Sequence, residues 1–168
     1  RLAPLKRLRL AYEDVKAVRD DIIFCRAQGY RSDSAKGEAP AYDDIIQSAS
    51  GIGDLFRRLD MTPMLLPTLI ADKVCGLTIV YSVMGALFHR ERTGEGQEIE
   101  VPMLDAFRAF MLTEHGAGAI PEPTQASAGY PRILTPERRP QATSDGWINV
   151  LAYRGDDFNA IFKAGGRD

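Results

Sequence analysis

Four apolar residues in a row, Ile22-Ile23-Phe24-Cys25, are the strongest constraint on what this chain can fold into. A short unbroken apolar run is what a strand buried on both faces looks like. It follows closely on residues 4–18, where Leu5, Leu8, Val15 and Val18 stand among Lys and Arg. That spacing predicts one basic amphipathic helix, ended by Asp20-Asp21. A helix leading directly into a buried strand is half of an α/β repeat, so the fold class expected is α/β.

The rest of the chain supports this reading. Helical spacing resumes at Asp43 and runs through Ile45, Ile46, Ala49, Ile52 and Leu55 to Phe56. Two prolines mark residues 59–68 as loop. A long helix is expected from about Asp72 to Arg92, with small residues Gly76, Ser82, Gly85 and Ala86 allowing close approach on one face. Thr93-Gly94-Glu95-Gly96-Gln97 reads as a helix C-cap and turn. Glu98-Ile99-Glu100-Val101 alternates as a half-exposed strand, and Met103 to about His115 is helical again. From Gly116 to Arg139, Gly, Pro, Ala and Thr dominate, as in a linker. Ser144-Asp145-Gly146 then turns into a strand at Trp147–Leu151. The organisation expected is a large unit at 1–116, a linker at 117–143 and the start of a smaller domain at 144–168.

Composition excludes some function classes. The 168 residues are 45% hydrophobic and 26% charged, with a formal net charge of −2. That balance argues against nucleic-acid binding through bulk charge. Cys25 and Cys75 lack any CxxC, HExxH or Cys/His company, so no metal site is expected, and both read as buried free thiols. A reducing, cytoplasmic setting suits them. The apolar stretch from Val74 to Phe88 reads as too short to span a bilayer. The chain opens at Arg1 without a methionine and ends on Gly165-Gly166-Arg167-Asp168, so both ends are expected to be cuts in a longer protein.

Few residues carry chemistry by themselves. Asp72 sits where a loop enters the long helix. Its plain reading is an N-cap. In that position a carboxylate also stays ionised, with backbone N–H groups nearby to hold an oxyanion, which suits a covalent nucleophile. His89 and His115 have no Ser or Cys partner at triad spacing and read as structural or surface residues. Lys6, Arg7 and Arg9 share a basic helix; they form either a solvated face or a phosphate contact. Arg138-Arg139 reads as surface loop.

In order along the chain, several blocks resemble one family. They are Pro40-Ala41-Tyr42-Asp43-Asp44-Ile45-Ile46-Gln47-Ser48-Ala49-Ser50-Gly51, then Ala71-Asp72-Lys73 with Gly76-Leu77, then Ala86-Leu87-Phe88-His89-Arg90-Glu91-Arg92-Thr93-Gly94-Glu95-Gly96-Gln97, and Val101-Pro102-Met103. Gly129-Tyr130-Pro131-Arg132, Arg138-Arg139-Pro140 and Asp145-Gly146 continue the pattern. The sequence resembles the family III CoA-transferases, the CaiB/BaiF group, across nearly its whole length.

That resemblance implies a Rossmann-like domain with a linker toward a smaller domain, here an internal fragment expected to be inactive alone. It implies transfer of CoA from an acyl-CoA donor to a carboxylic acid acceptor, through an aspartyl-CoA intermediate on Asp72. Tyr42 is implied near the thioester, Arg7 at CoA and Asp43 beside Tyr42. CoA enters as substrate, with no cofactor or metal; the parent protein is implied to be an interlocked homodimer without a nucleic-acid or membrane partner. Related acyl-CoA racemases carry a histidine where Tyr42 stands. A phenol is a poor base for an α-proton, so transferase is preferred to racemase. A non-catalytic remnant is the other alternative. Met61 stands where the family has a glycine, which is expected to alter the loop before Asp72.

Overall fold

A computed structural model describes residues 1–167. The chain divides into two compact units, one over Arg1–Leu134 and one from Thr135 onward. The first unit holds α1 (Leu2–Arg7), α2 (Tyr12–Lys16), β1 (Ile23–Gln28), α3 (Asp43–Ser50), α4 (Ile52–Arg57), α5 (Ile70–Thr93), β2 (Gln97–Pro102) and α6 (Met103–His115). A short 3-10 turn follows at Ala117–Ala119. The second unit holds a two-residue hairpin pair, β3 (Gln141–Ala142) with β4 (Trp147–Ile148), and α7 (Gly155–Ala164).

β1 and β2 run parallel, with Cys25 opposite Ile99 and Arg26 opposite Glu100. Parallel neighbours need a crossover, and α3, α4 and α5 supply it. α5 packs against both strands. On the other face Phe24 meets Tyr12 of α2, ring centroids 6.2 Å apart. Helices therefore flank the strand pair on both faces, and the α/β expectation holds.

The core lies where α3, α5 and α6 meet. Ile46 and Phe107 are wholly buried there, with Ala71, Val74 and Leu104 around them. The N–H of Leu104 donates to the carbonyl of Gly29 at 3.0 Å, tying the start of α6 to the end of β1.

Several local expectations change. Residues 4–18 form two short helices rather than one, because Arg9 takes a left-handed φ of 53° between them. A fresh start follows, with the Asp14 carboxylate accepting the N–H of Ala11 at 3.0 Å. The helix expected over 43–56 breaks at Gly51, whose φ of 96° ends α3 and opens α4. The apolar run 22–25 is only half-buried, and so is Cys25; the buried residues of β1 are the polar Arg26 and Gln28. Arg26 is held by Gln28 at 2.6 Å and by Glu98 and Glu100 of the neighbouring strand at 3.3 and 3.4 Å. Glu100 also accepts the Ser32 N–H at 2.7 Å. The strand expected over 147–151 keeps only Trp147–Ile148, and α7 was not expected.

α5 is 24 residues long and extends beyond the apolar run used to judge it at both ends. By length and composition alone it meets the requirement for crossing a bilayer, so the earlier exclusion on length does not stand. Its capping end matches expectation: Gly94 is left-handed at φ 79°, and its N–H donates to the Arg90 carbonyl at 2.7 Å.

Candidate active site

Asp72 lies in the first turn of α5 but is not its cap. The helix starts at Ile70 with Leu69 in the N-cap position, and no side chain of its own caps it. The cap comes from α3. Asp43 Oδ1 accepts the backbone N–H of Asp72 at 3.0 Å. A carboxylate from 29 positions upstream thus does the work expected of Asp72 itself, and the Asp72 side chain is left exposed.

Asp43 is 4% exposed, and both its oxygens are engaged. Oδ2 accepts from the Gln47 amide at 2.5 Å, one helical turn along α3. Gln47 is fully buried. Its Nε2 also donates to the Thr68 carbonyl at 3.1 Å, and its Oε1 accepts the Leu66 N–H at 2.8 Å. Asp43 and Gln47 together hold the loop at 66–68 and the first turn of α5 against α3. Gln47 escaped the sequence reading as a site residue. Its signal was present in the i, i+4 spacing of Asp43 and Gln47 on one predicted helix.

Tyr42 directly precedes Asp43. It occupies the N-cap position of α3 with an extended backbone, and the residue is 73% exposed. Sequence neighbours 42 and 43 and the distant 72 therefore meet at one place, the paired N-terminal ends of α3 and α5. At the start of α5 the N–H groups of Ile70 and Asp72 are already taken, by the Thr68 carbonyl at 2.8 Å and by Asp43 at 3.0 Å, and the positive ends of both helix dipoles still favour negative charge there. Lys73 is exposed beside Asp72, its Nζ donating to the Thr68 hydroxyl at 2.5 Å.

Arg7 is not joined to this group. It sits exposed in the last turn of α1 and makes no side-chain hydrogen bond or ion pair among the described residues. Lys6 lies instead along a polar cleft with Arg26, Glu98 and Glu100.

Cys75, one turn beyond Asp72, is buried. Burial pushes its thiol pKa up, and the Asp72 and Cys25 charges add to this. Cys25 is raised by burial as well. Neither thiol is set up as a nucleophile. His115 is buried, its Nδ1 accepting the Tyr130 N–H at 3.3 Å, a structural role. His89 is a surface residue 3.8 Å from Glu95. Asp60, not Met61, takes the left-handed backbone of the loop before Asp72, with φ 57°.

A profile of CoA-transferase family III matches residues 1–168. The chain belongs to that family. It is 29% identical over 154 residues to the succinate–glutarate CoA-transferase of Agrobacterium fabrum, covering 90% of this chain and 38% of that protein. It is 31% identical over 108 residues to the acetyl-CoA:oxalate CoA-transferase of Acetobacter aceti, covering 64% of this chain and 28% of that one. The fold matches a CaiB/BaiF family protein from Brucella suis with a TM-score of 0.80 at 26% identity, covering 98% of this chain and 44% of that chain. This family III chain spans less than half the length of these relatives.

Proposed function

We propose that the protein transfers CoA from an acyl-CoA donor to a carboxylic acid acceptor, with Asp72 as nucleophile. One observation carries this reading: the Asp72 carboxylate is left exposed at a helix start because Asp43 takes over the capping of that helix. A capping carboxylate is occupied by backbone N–H groups; an exposed one is available to attack.

The Asp72 carboxylate adds to the donor thioester carbonyl. The C–S bond breaks, CoA thiolate leaves, and a mixed anhydride forms. The thiolate attacks the aspartyl carbonyl, releasing the donor acid and leaving an aspartyl-CoA thioester. The acceptor carboxylate attacks that thioester, expelling thiolate and forming a second anhydride. The thiolate then attacks the acceptor's acyl carbon, giving new acyl-CoA and free Asp72. Each of these four substitutions passes through an oxyanion, and the positive end of the α5 dipole favours negative charge there. Binding energy from the CoA moiety orients the thioester. Tyr42 is assigned to the thioester end and Arg7 to CoA. The relatives' names mention succinate, glutarate and oxalate; for this chain the acceptor class is a carboxylic acid. The interlocked homodimer and a cytoplasmic setting belong to the same proposal.

The test uses the full-length protein with succinyl-CoA, followed by hydroxylamine and mass spectrometry. The expected result is a hydroxamate on Asp72 that disappears in Asp72→Asn together with turnover. Continued acyl-CoA turnover with Asp72 unmodified would overturn the assignment and favour acid–base isomerisation.

A further inference from the structure

One buried polar group has no part in the Asp72 chemistry. His115 ends α6 and is 8% exposed. Its Nδ1 accepts the Tyr130 N–H at 3.3 Å, so the neutral ring carries its proton on Nε2. That second nitrogen makes no hydrogen bond among the described residues. The Glu114 carboxylate stands 3.7 Å from it, too far for one. Nor is Nε2 sealed off: among the described residues, Arg26 Nε is the one fully buried side-chain nitrogen or oxygen without a partner. The Nε2 proton is therefore on offer to what enters the space beside it.

That space is a cavity of about 270 Å³ between α6 and the junction of α3 with α4. Arg108, Met111, Leu112 and His115 line it from α6, at positions i, i+3, i+4 and i+7, one face of a helix. Leu55 and Ser50 line the other side, and the Ser50 hydroxyl is already spent on the Gln47 carbonyl at 2.6 Å. Apolar side chains thus form the middle, with a donor at each end. At the exposed end an Arg108 NH2 nitrogen donates to the Ala49 carbonyl at 2.8 Å, which holds the guanidinium at the C-terminal end of α3. Its remaining N–H groups and its charge have no partner among the described residues. Arg108 and His115 are seven residues apart, roughly 10 Å along the helix axis. Asp43 and Tyr42 stand at the opposite end of α3, roughly 12 Å away at ~1.5 Å per residue, so the cavity is separate from the Asp72 group.

We infer that this cavity binds a small carboxylic acid with an apolar body and an acceptor oxygen at its far end. The carboxylate lies on Arg108, the body against Leu55, Met111 and Leu112, and the far oxygen on the His115 Nε2–H. A guanidinium with free N–H groups matches a carboxylate in charge and shape. A neutral imidazole N–H at the buried end takes an uncharged oxygen and would leave a second carboxylate uncompensated. Apolar walls with a few placed polar groups are the ordinary make-up of a small-molecule site. The inference holds whatever chemistry Asp72 performs.

The test titrates the full-length protein by calorimetry with two acids of one shape, 4-acetylbenzoate and 4-isopropylbenzoate. Only the first has an oxygen for His115. It is expected to bind about fivefold more tightly, the worth of one added hydrogen bond. His115→Asn keeps an acceptor for the Tyr130 N–H and removes the Nε2 donor, and should bring the two affinities together. Arg108→Met should weaken both acids about tenfold or more, as loss of a charged hydrogen-bond partner does. Asp72→Asn should change neither. Absence of binding, or equal affinity of the unaltered protein for the two acids, would overturn the inference. So would binding that ignores Arg108→Met, or that is lost with Asp72→Asn, which would put the acid at the catalytic end. The comparison of the two acids needs no substitution, so it decides the matter even if a variant fails to fold.

Discussion

Replacing Asp43 by Asn tests whether the cap donated from α3 holds the start of α5. The substitution keeps the shape and removes the charge. Asp43 now accepts two hydrogen bonds, from the Asp72 N–H and the Gln47 amide. An Asn can accept only through its carbonyl and must turn its NH2 toward the other donor. Rotating the Gln47 amide to meet that NH2 sets the Gln47 NH2 against the Leu66 N–H and its oxygen against the Thr68 carbonyl. Each orientation therefore leaves like groups facing in a site that is almost fully buried. Hydrogen bonds to charged groups contribute about 1.5–3 kcal/mol, and one of the two to Asp43 is lost in every arrangement. The expected destabilisation is about 1.5–3 kcal/mol, which for a chain of this size lowers Tm by about 3–12 °C. Urea unfolding measures it, with the slope m unchanged. Amide exchange at Asp72 should accelerate alongside. Native stability together with unchanged protection at Asp72 would show that the Asp43 contact does not hold the helix start. In the full-length protein, slower adduct formation on Asp72 at unchanged CoA affinity would mark Asp43 as a positioning residue.

Two smaller perturbations follow from the backbone and the charges. Arg9 sits at φ 53°, a region that costs a non-glycine residue about 1–2 kcal/mol, while glycine costs about 0.5–1 kcal/mol in chain entropy. Arg9→Gly should therefore stabilise modestly, by up to about 1 kcal/mol in thermal unfolding; a loss would mean that the side chain, not the backbone, matters there. Asp157 accepts the N–H groups of Arg154 and Tyr153 at 2.9 and 3.1 Å, and these bonds lower its pKa from the ordinary carboxylate value. A depressed folded-state pKa gives stability that is present above the unfolded value and is lost as pH falls through the folded one. The start of α7 should therefore hold at neutral pH and loosen only below about pH 4, as followed by the NMR shifts of residues 153–157; fraying already at pH 5 would contradict it.

Much of the first unit could be read from local pattern. α6 occupies Met103–His115 as its spacing predicted, and β2 encloses the alternation at 98–101. These elements answer to local rules, with a proline before α6 and a glycine after it. What escaped needs partners distant in sequence. The start of α5 was placed two residues late because Asp72 has the look of a cap; the true cap comes from α3, which only the fold brings near. The burial of Arg26 was equally hidden. It depends on the parallel register that sets Arg26 opposite Glu100, and no window of consecutive residues contains both. The basic segment at 4–18 carried a helical pattern through Arg9, and nothing in that pattern signals a left-handed residue.

α5 was recognised at once as long and apolar, but its two faces and its start have different work. A helix apolar all round must be covered all round or lie in lipid. The core of this chain covers only the inner side. The start of the helix is held differently, by the Asp43 carboxylate on the Asp72 N–H. Met84→Glu on the exposed face should therefore leave amide protection at Asp72 unchanged, whereas Asp43→Asn should lower it.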